Sequence, residues 1–108
     1  MGRVSVHELE KLVSGGLGAE DLLIDVREPD EFSSGHVPGA ENIPLSAVAR
    51  ATDRMKGRKR LFMICQRGGR SMQACGELAG HLGSDVALFN VEGGTSAWTE
   101  AGFRVEKS

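Results

Sequence analysis

The chain has no long apolar run and contains only two cysteines. None of its apolar stretches approaches the roughly 20 residues of a membrane-spanning helix, and its first residues lack the apolar segment of a signal peptide. We therefore expect a cytoplasmic protein with no membrane partner. Cys65 and Cys75 are too few for a disulfide framework and have no second pair or nearby histidine for a zinc site, so each is considered individually.

A strong excess of one charge is also missing. Thirteen Lys and Arg against fifteen Asp and Glu give a net charge of −2, which provides no general attraction to nucleic acid or anionic lipid. The 108 residues fit a single domain over 1–108, and 40% hydrophobic with 26% charged residues is typical of a globular fold. Fifteen glycines predict many tight turns or close approaches of the backbone to a ligand.

Helical and strand patterns alternate along the chain. A capping box, Ser5 to Glu8, followed by apolar residues at helical spacing predicts a first helix that Gly15 ends. Short continuous apolar runs at 22–26, 61–64 and 86–89 are typical of strands buried on both faces. This alternation favours a doubly wound parallel sheet with helices on both faces.

The remaining segments predict shorter elements. All three prolines fall within 27–44, which favours an ordered loop with one helical turn near 29–32 and a short strand near 42–43. Ser46 is expected to cap a short helix. A longer helix is expected to begin near Ser71 and end at Gly83, and a last helix to begin at an N-cap Thr95 and end at 102.

Cys65 is the strongest candidate for chemistry. It follows an apolar strand and precedes a glycine-rich loop that leads into a helix, where backbone N–H groups and the positive helix end converge. Gly68 and Gly69 allow consecutive N–H groups to point into one concavity. With Arg67 and Arg70 in the same loop, we expect the pKa of the Cys65 thiol to be lowered, which makes it a nucleophile.

Other notable residues are better explained by structure than by chemistry. Cys75 shares a helix face with leucines and is interpreted as a core residue, with a resolving-thiol role as the lesser alternative. Asp25 and Arg27 are expected to form an ion pair that fixes the loop after their strand, with Glu31 and Phe32 in the same cluster. Trp98 is expected to anchor the core. The three histidines, His7, His36 and His81, receive no catalytic role.

From about residue 5 to residue 103, the chain resembles the rhodanese-like sulfurtransferases, because their sequence motifs occur here in the same order. Residues 25–32 (DVREPDEF), 35–40 (GHVPGA) and 42–44 (NIP) look like the family's first signature. Residues 65–71 (CQRGGRS) are similar to its active-site loop, and 92–102 (EGGTSAWTEAG) to its closing signature. The chain departs from the family pattern at Gly76, Ser84 and Arg104, all outside the loop.

The resemblance implies a three-layer α/β/α domain with a five-stranded parallel sheet. It implies that Cys65 is catalytic and carries a persulfide, taking sulfur from a small anionic donor such as thiosulfate and passing it to cyanide or a thiol. A protein donor or acceptor is also compatible with it, and no metal or organic cofactor is required. The loop that would bind the donor and the persulfide consists of Gln66, Arg67, Gly68, Gly69, Arg70 and Ser71.

Two other functions remain open at this point. Related enzymes of this fold, phosphatases and arsenate reductases, also place a cysteine in an oxyanion-binding loop, but they typically enclose five residues between cysteine and arginine. Cys65 and Arg70 enclose four, which favours sulfur. The second alternative is a non-catalytic binding or regulatory module, although inactive relatives commonly lack the cysteine. The sequence does not identify the donor, the acceptor or the oligomeric state.

Overall fold

A computed structural model describes residues 1–108. The five strands are β1 (Gly2–Val4), β2 (Asp21–Asp25), β3 (Glu41–Asn42), β4 (Arg60–Ile64) and β5 (Ala87–Val91). The four α-helices are α1 (Val6–Ser14), α2 (Pro29–Ser34), α3 (Gly69–Ala79) and α4 (Gly94–Glu100). Two 3₁₀ segments, Leu45–Arg50 and Thr52–Arg54, lead from β3 towards β4. None of these helices has the length and apolar character that a membrane span requires.

The strands form one parallel sheet in the order β1-β5-β4-β2-β3, as the alternating pattern predicts. Asp25 at the end of β2 lies beside Ile64 at the end of β4. Because the carboxyl ends of parallel strands meet at one edge of the sheet, the residues that follow β2 and β4 emerge side by side. Arg27 and Cys65 therefore reach the same edge from different parts of the chain.

The sheet separates two apolar cores. On β4, Leu61 and Met63 face the core that includes α3, whereas Phe62 and Ile64 face the core that includes α1 and α4. This alternation follows from the two-residue period of a strand, and coverage of both faces explains why the strands have continuous apolar sequences. Cys65 continues the alternation and lies on the α3 side.

The capping box expected at the start of α1 is present. The backbone N–H of Ser5 donates to Glu8 Oε1 at 3.0 Å, and the N–H of Glu8 donates to Ser5 Oγ at 3.1 Å. Two of the four unpaired donors at a helix N-terminus are thereby satisfied. The C-terminal segment returns to the residues after α2, where His36 and Glu106 exchange backbone hydrogen bonds at 2.8 Å.

The boundaries of α3 differ from those predicted. The helix begins at Gly69 rather than near Ser71, because Gly68 takes a left-handed backbone conformation with φ of 112° and turns the chain into the helix. Only glycine adopts such a conformation readily. The helix also ends at Ala79 and does not continue to Gly83. The earlier start brings the first N–H groups of α3 closer to the end of β4.

Two predicted helix caps are wrong. Thr95 is not the N-cap of α4; Gly93 is, and the Thr95 hydroxyl donates instead to the Cys65 carbonyl oxygen at 3.1 Å. Ser46 caps no helix either, because Pro44 precedes a 3₁₀ segment that no side chain caps. In both cases a hydroxyl near the start of a helix suggested a cap. At Thr95 the hydroxyl instead meets a carbonyl that is distant in sequence.

Candidate active site

Cys65 lies directly after β4 and only 2% of its surface is exposed. The backbone N–H of Gly68 donates to its sulfur at 3.0 Å. The left-handed conformation of Gly68 aims this N–H back at the strand end, so the glycine is required for the turn and for the contact. The sulfur is thus held at the N-terminal end of α3, where the helix dipole favours negative charge.

A second donor to the sulfur is the hydroxyl of Ser71, with Oγ 3.3 Å from Sγ. The same hydroxyl lies 2.5 Å from Oδ1 of Asn90 and 3.1 Å from the Gly68 carbonyl oxygen. A serine hydroxyl has a single proton, so these three acceptors share it. Asn90 Nδ2 also donates to the Gly68 carbonyl at 3.3 Å. Asn90 therefore contacts both residues that donate to the cysteine.

These contacts determine the pKa of the Cys65 thiol. Burial by itself raises this pKa, but hydrogen bonds from the Ser71 hydroxyl and from the backbone N–H groups of Ser71, Gly68 and Arg67 outweigh it and leave the pKa lowered. The pKa of Cys65 is thus lowered, as predicted from the sequence, and hydrogen bonds are the cause. Cys75 differs, because burial in the core raises the pKa of its thiol to about 11.

The N-terminus of α4 holds the other side of the loop. The backbone N–H of Thr95 and its hydroxyl both donate to the Cys65 carbonyl, at 2.9 and 3.1 Å, and the N–H of Ser96 donates to the Gln66 carbonyl at 3.0 Å. With these carbonyls directed towards α4, the following N–H groups are free to point at the sulfur. Gly94 permits the close approach, since a Cβ there would lie 2.7 Å from the Gln66 carbonyl oxygen.

The ion pair expected after β2 is present and reaches the loop. The guanidinium of Arg27 binds Asp25 at 2.8 to 3.2 Å, and both side chains are buried. Arg27 also donates to Gln66 Oε1 at 3.1 Å, and Gln66 Nε2 donates to Ser96 Oγ at 2.9 Å. The Gln66 side chain is therefore used to join Arg27 to α4, which leaves its backbone as its contribution to the site.

The two arginines of the loop have different surroundings. Arg67 is exposed and forms no ion pair. Arg70 binds Glu31 of α2 through both terminal nitrogens, at 2.7 and 3.0 Å. Glu31, expected in the Asp25–Arg27 cluster, is near enough to Arg27 for that charge to help lower its pKa, and it binds the loop arginine directly. Phe32 stacks on His36 with ring centroids 3.7 Å apart.

The predicted site residues 65–71 form one continuous segment, the turn after β4 and the first turn of α3, from which Gly68 and Ser71 donate to the Cys65 sulfur. Sequence reasoning missed Asn90, Ser96 and the contact of Glu31 with Arg70. Asn90 had one detectable signal in the sequence, because it is a polar residue directly after the apolar run 86–89. In the structure it is only 3% exposed, and a buried polar side chain needs hydrogen-bond partners. No group of three or more His, Cys, Asp or Glu side chains is arranged to hold a metal ion. Because the Gly68 N–H and the Ser71 hydroxyl donate to the Cys65 sulfur, the site can offer a thiolate surrounded by hydrogen-bond donors.

Two known proteins are similar to this chain in sequence. Thiosulfate sulfurtransferase GlpE of Pseudomonas syringae is 32% identical over 77 residues, which cover 71% of each protein. Protein HIGH ARSENIC CONTENT 1 of Arabidopsis thaliana is 35% identical over 108 residues, with 86% of this chain and 61% of that protein covered. This chain thus spans about three fifths of the Arabidopsis relative.

A solved structure and a family match extend these likenesses to nearly the whole chain. A rhodanese-related protein from Thermoplasma volcanium superposes with a TM-score of 0.84 at 26% identity, with all of both chains covered. Residues 5–101 match the rhodanese-like domain family. With its five-stranded parallel sheet and its cysteine at the end of β4, this chain belongs to the rhodanese-like domain family, whose relatives include named sulfurtransferases.

Proposed function

We propose that this domain moves a sulfane sulfur from a donor such as thiosulfate to cyanide or a thiol, through a persulfide on Cys65. One observation carries the proposal: two donors, the Gly68 N–H at 3.0 Å and the Ser71 hydroxyl at 3.3 Å, converge on a cysteine sulfur whose pKa is lowered. Such donors favour a thiolate, and a thiolate is the nucleophile that sulfur transfer requires.

The reaction has two displacement steps. In the first, the Cys65 thiolate attacks the outer sulfur of the donor; an S–S bond forms to Cys65 and the donor's own bond to that sulfur breaks. The leaving group, sulfite in the case of thiosulfate, takes the electron pair. In the second, cyanide or a thiolate attacks the outer sulfur of the persulfide, and Cys65 leaves as the thiolate. No electrons are gained or lost overall, and neither step uses a metal or organic cofactor.

The loop supplies the environment for both steps. Backbone N–H groups and the Ser71 hydroxyl stabilise negative charge on Cys65 before and after transfer. Arg67, exposed and without an ion pair, is suited to attract an anionic donor from solution. We propose residues 66–71 as the binding loop, with Gln66 acting through its backbone because its side chain joins Arg27 to Ser96. A protein could serve as donor or acceptor in place of a small molecule.

Intact-mass measurement tests the proposal directly. After incubation with thiosulfate or cysteine persulfide, the protein should gain the mass of one sulfur atom, and cyanide should remove it with formation of thiocyanate. Cys65→Ala should gain nothing, whereas Cys75→Ala should behave as the wild type, because burial in the core raises the pKa of the Cys75 thiol and leaves little thiolate there. A wild-type protein that gains no sulfur from any donor would identify a binding module and overturn the proposal.

Oxyanion chemistry is the rival function, because a relative carries the name HIGH ARSENIC CONTENT 1. Four residues between Cys65 and Arg70, rather than the five typical of phosphatases and arsenate reductases, leave less room for a tetrahedral centre with three equatorial oxygens. Side-by-side assays with thiosulfate plus cyanide, an aryl phosphate and arsenate separate the functions. Cys65-dependent turnover of the phosphate or the arsenate, without sulfur transfer, would establish the rival.

A further inference from the structure

Glu31 and Arg70 form a forked ion pair between α2 and the active-site loop. The two terminal nitrogens of Arg70 donate to the two carboxylate oxygens of Glu31 at 2.7 and 3.0 Å. The hydrogen bonds from Arg70 are the main reason that the pKa of Glu31 is lowered to about 2. Glu31 is therefore ionised at neutral pH, where this carboxylate compensates the charge of Arg70.

Neutralisation of Arg70 leaves the loop with little net positive charge. Three arginines lie on or beside the loop, and Arg27 is already compensated by buried Asp25. Arg70 is compensated by Glu31, so Arg67 is the single arginine of the three without a carboxylate partner. Asp30, next to Glu31 in α2, is exposed and adds a negative charge without an ion pair.

The charge of the donor then decides how well it binds. Thiosulfate is a dianion whose three sulfonate oxygens are best bound by a free guanidinium fork. The Arg70 fork is occupied by Glu31. A persulfide carried on a thiol has no sulfonate group and at most one negative charge on its reacting sulfurs. It needs no second cation beyond Arg67 and the N–H groups around Sγ.

We propose that Glu31 is a positioning residue that sets donor preference: by holding Arg70 in an ion pair, it favours persulfides carried on thiols over dianionic thiosulfate. The inference rests on the proposed function, since both donors load the same Cys65. With a persulfide donor, the Cys65 thiolate attacks the outer sulfur of RSSH, the new S–S bond replaces the donor's S–S bond, and the thiolate RS⁻ leaves with the electron pair. The proton remains on the transferred sulfur.

The test compares thiosulfate and cysteine persulfide as donors for the wild type and Glu31→Gln. Glutamine keeps an oxygen for the backbone N–H of Glu28, which Glu31 Oε1 accepts at 3.0 Å, and removes the charge that neutralises Arg70. The wild type should have the higher kcat/KM with cysteine persulfide. Glu31→Gln should raise kcat/KM for thiosulfate by roughly two- to fivefold, the range that partly exposed ion pairs cover, mainly through a lower KM. The value for cysteine persulfide should change less.

Two further variants separate release of Arg70 from a general change of charge. Asp30→Asn removes one charge from the same helix without freeing Arg70, so its effect on thiosulfate should be clearly smaller. In an Arg70→Ala background, Glu31→Gln should have no effect, because the residue through which it acts is gone. Three results would each overturn the inference. The ratio of kcat/KM for thiosulfate to kcat/KM for cysteine persulfide could be unchanged in Glu31→Gln. Asp30→Asn could raise kcat/KM for thiosulfate as much as Glu31→Gln does, or Glu31→Gln could still raise it in the Arg70→Ala background.

The failure of this inference is distinguishable from failure of the proposed function. If a persulfide forms on Cys65 with either donor, the proposed sulfur transfer is supported. The role of Glu31 is then decided by the ratio of kcat/KM for the two donors alone. If neither donor adds sulfur to Cys65 by intact mass, both proposals are overturned together. A wild-type preference for thiosulfate that Glu31→Gln leaves unchanged overturns the role of Glu31 alone.

Discussion

Cys65 and Cys75 are both buried in the same apolar core, but only the Cys65 sulfur has hydrogen-bond donors beside it. Cys65 accepts a backbone N–H from Gly68 and lies next to the Ser71 hydroxyl, whereas Cys75 lies in an apolar cluster without such donors. Burial raises the pKa of either thiol, and only at Cys65 do hydrogen bonds outweigh it. The direction in which the pKa of each thiol is shifted thus depends on the donors around its sulfur, and burial alone does not predict it.

This contrast predicts selective alkylation. Because the thiolate is the reacting form, the rate at Cys65 should rise with pH through a midpoint below that of an ordinary cysteine and then level off. At neutral pH a limiting amount of iodoacetamide should add one group, at Cys65. Cys75, with a pKa of about 11, should remain unmodified in the folded protein. Peptide mapping checks the site, and equal labelling of both cysteines would contradict the assigned pKa directions.

Ser71 should contribute a measurable part of the lowered pKa. In Ser71→Ala the hydroxyl at 3.3 Å from Sγ is lost, so the pKa of Cys65 should rise and the alkylation profile should move to higher pH. Sulfur transfer at neutral pH should fall several-fold, because less thiolate is present. Ser71→Thr keeps a hydroxyl and should restore the profile in part. A Ser71→Ala profile identical to that of the wild type would mean that backbone N–H groups suffice.

Among the secondary-structure elements, α4 and the loop after β4 are held together by backbone contacts that leave no room for a side chain. Gly94 has φ of 58°, and a Cβ there would lie 2.7 Å from the Gln66 carbonyl oxygen and in contact with that of Cys65. Both obstacles are backbone atoms, which cannot move aside without moving the loop. The close approach of two elements therefore depends on one residue that carries no side chain.

Replacement of Gly94 by Ala should therefore damage stability and activity together. We expect a loss of about 2–4 kcal/mol in the free energy of unfolding, from overpacking and from alanine in a left-handed conformation. Gly76→Ala is the matched control, since Gly76 is exposed in the middle of α3 with open space around it. It should gain about 0.5–1 kcal/mol. Urea unfolding measures the change in the free energy of unfolding for both variants. No loss of stability in Gly94→Ala would contradict the close packing.

Local sequence predicts the elements whose signals lie within a few residues of one another. The capping box at Ser5 fixes the start of α1, and the apolar runs fix β2, β4 and β5 to within one or two residues. β1 was not predicted from residue patterns, because its three residues include a single buried apolar side chain, Val4. Its strand conformation comes from pairing with β5, which the local sequence does not encode.

The same distinction applies to the candidate site. Residues 65–71 are contiguous, and the strand, glycines and helix around them predict a loop that surrounds the cysteine. The partners of that loop come from elsewhere: Glu31 is 39 residues from Arg70, and Asn90 is 19 residues from Ser71. Charge and polarity in the sequence indicate that such side chains need partners, but only the folded sheet determines which partners they meet.

For the molecule as a whole, the position of β5 in the sheet determines when β1 can pair during folding. β5 separates β1 from β4, so Gly2 must pair with Phe89, which lies 87 residues further along (89 − 2). To pair strands that are so far apart in sequence, the chain must first lose the conformational entropy of a long loop, before the new contacts compensate for that loss. The first strand of the chain consequently has no neighbour in the sheet until nearly all of the chain has joined it.

A chain shortened to residues 1–86 should therefore fail to form a partial domain. Without β5, β1 has no strand to pair with, and Phe62 of β4 loses its stacked neighbour Phe89. Circular dichroism should show no cooperative thermal transition for this fragment, whereas the full chain should unfold in one step. A cooperative transition in the fragment would indicate an independently folding half. The early part of this chain is thus expected to stay unstructured and exposed to proteases and aggregation until β5 is available.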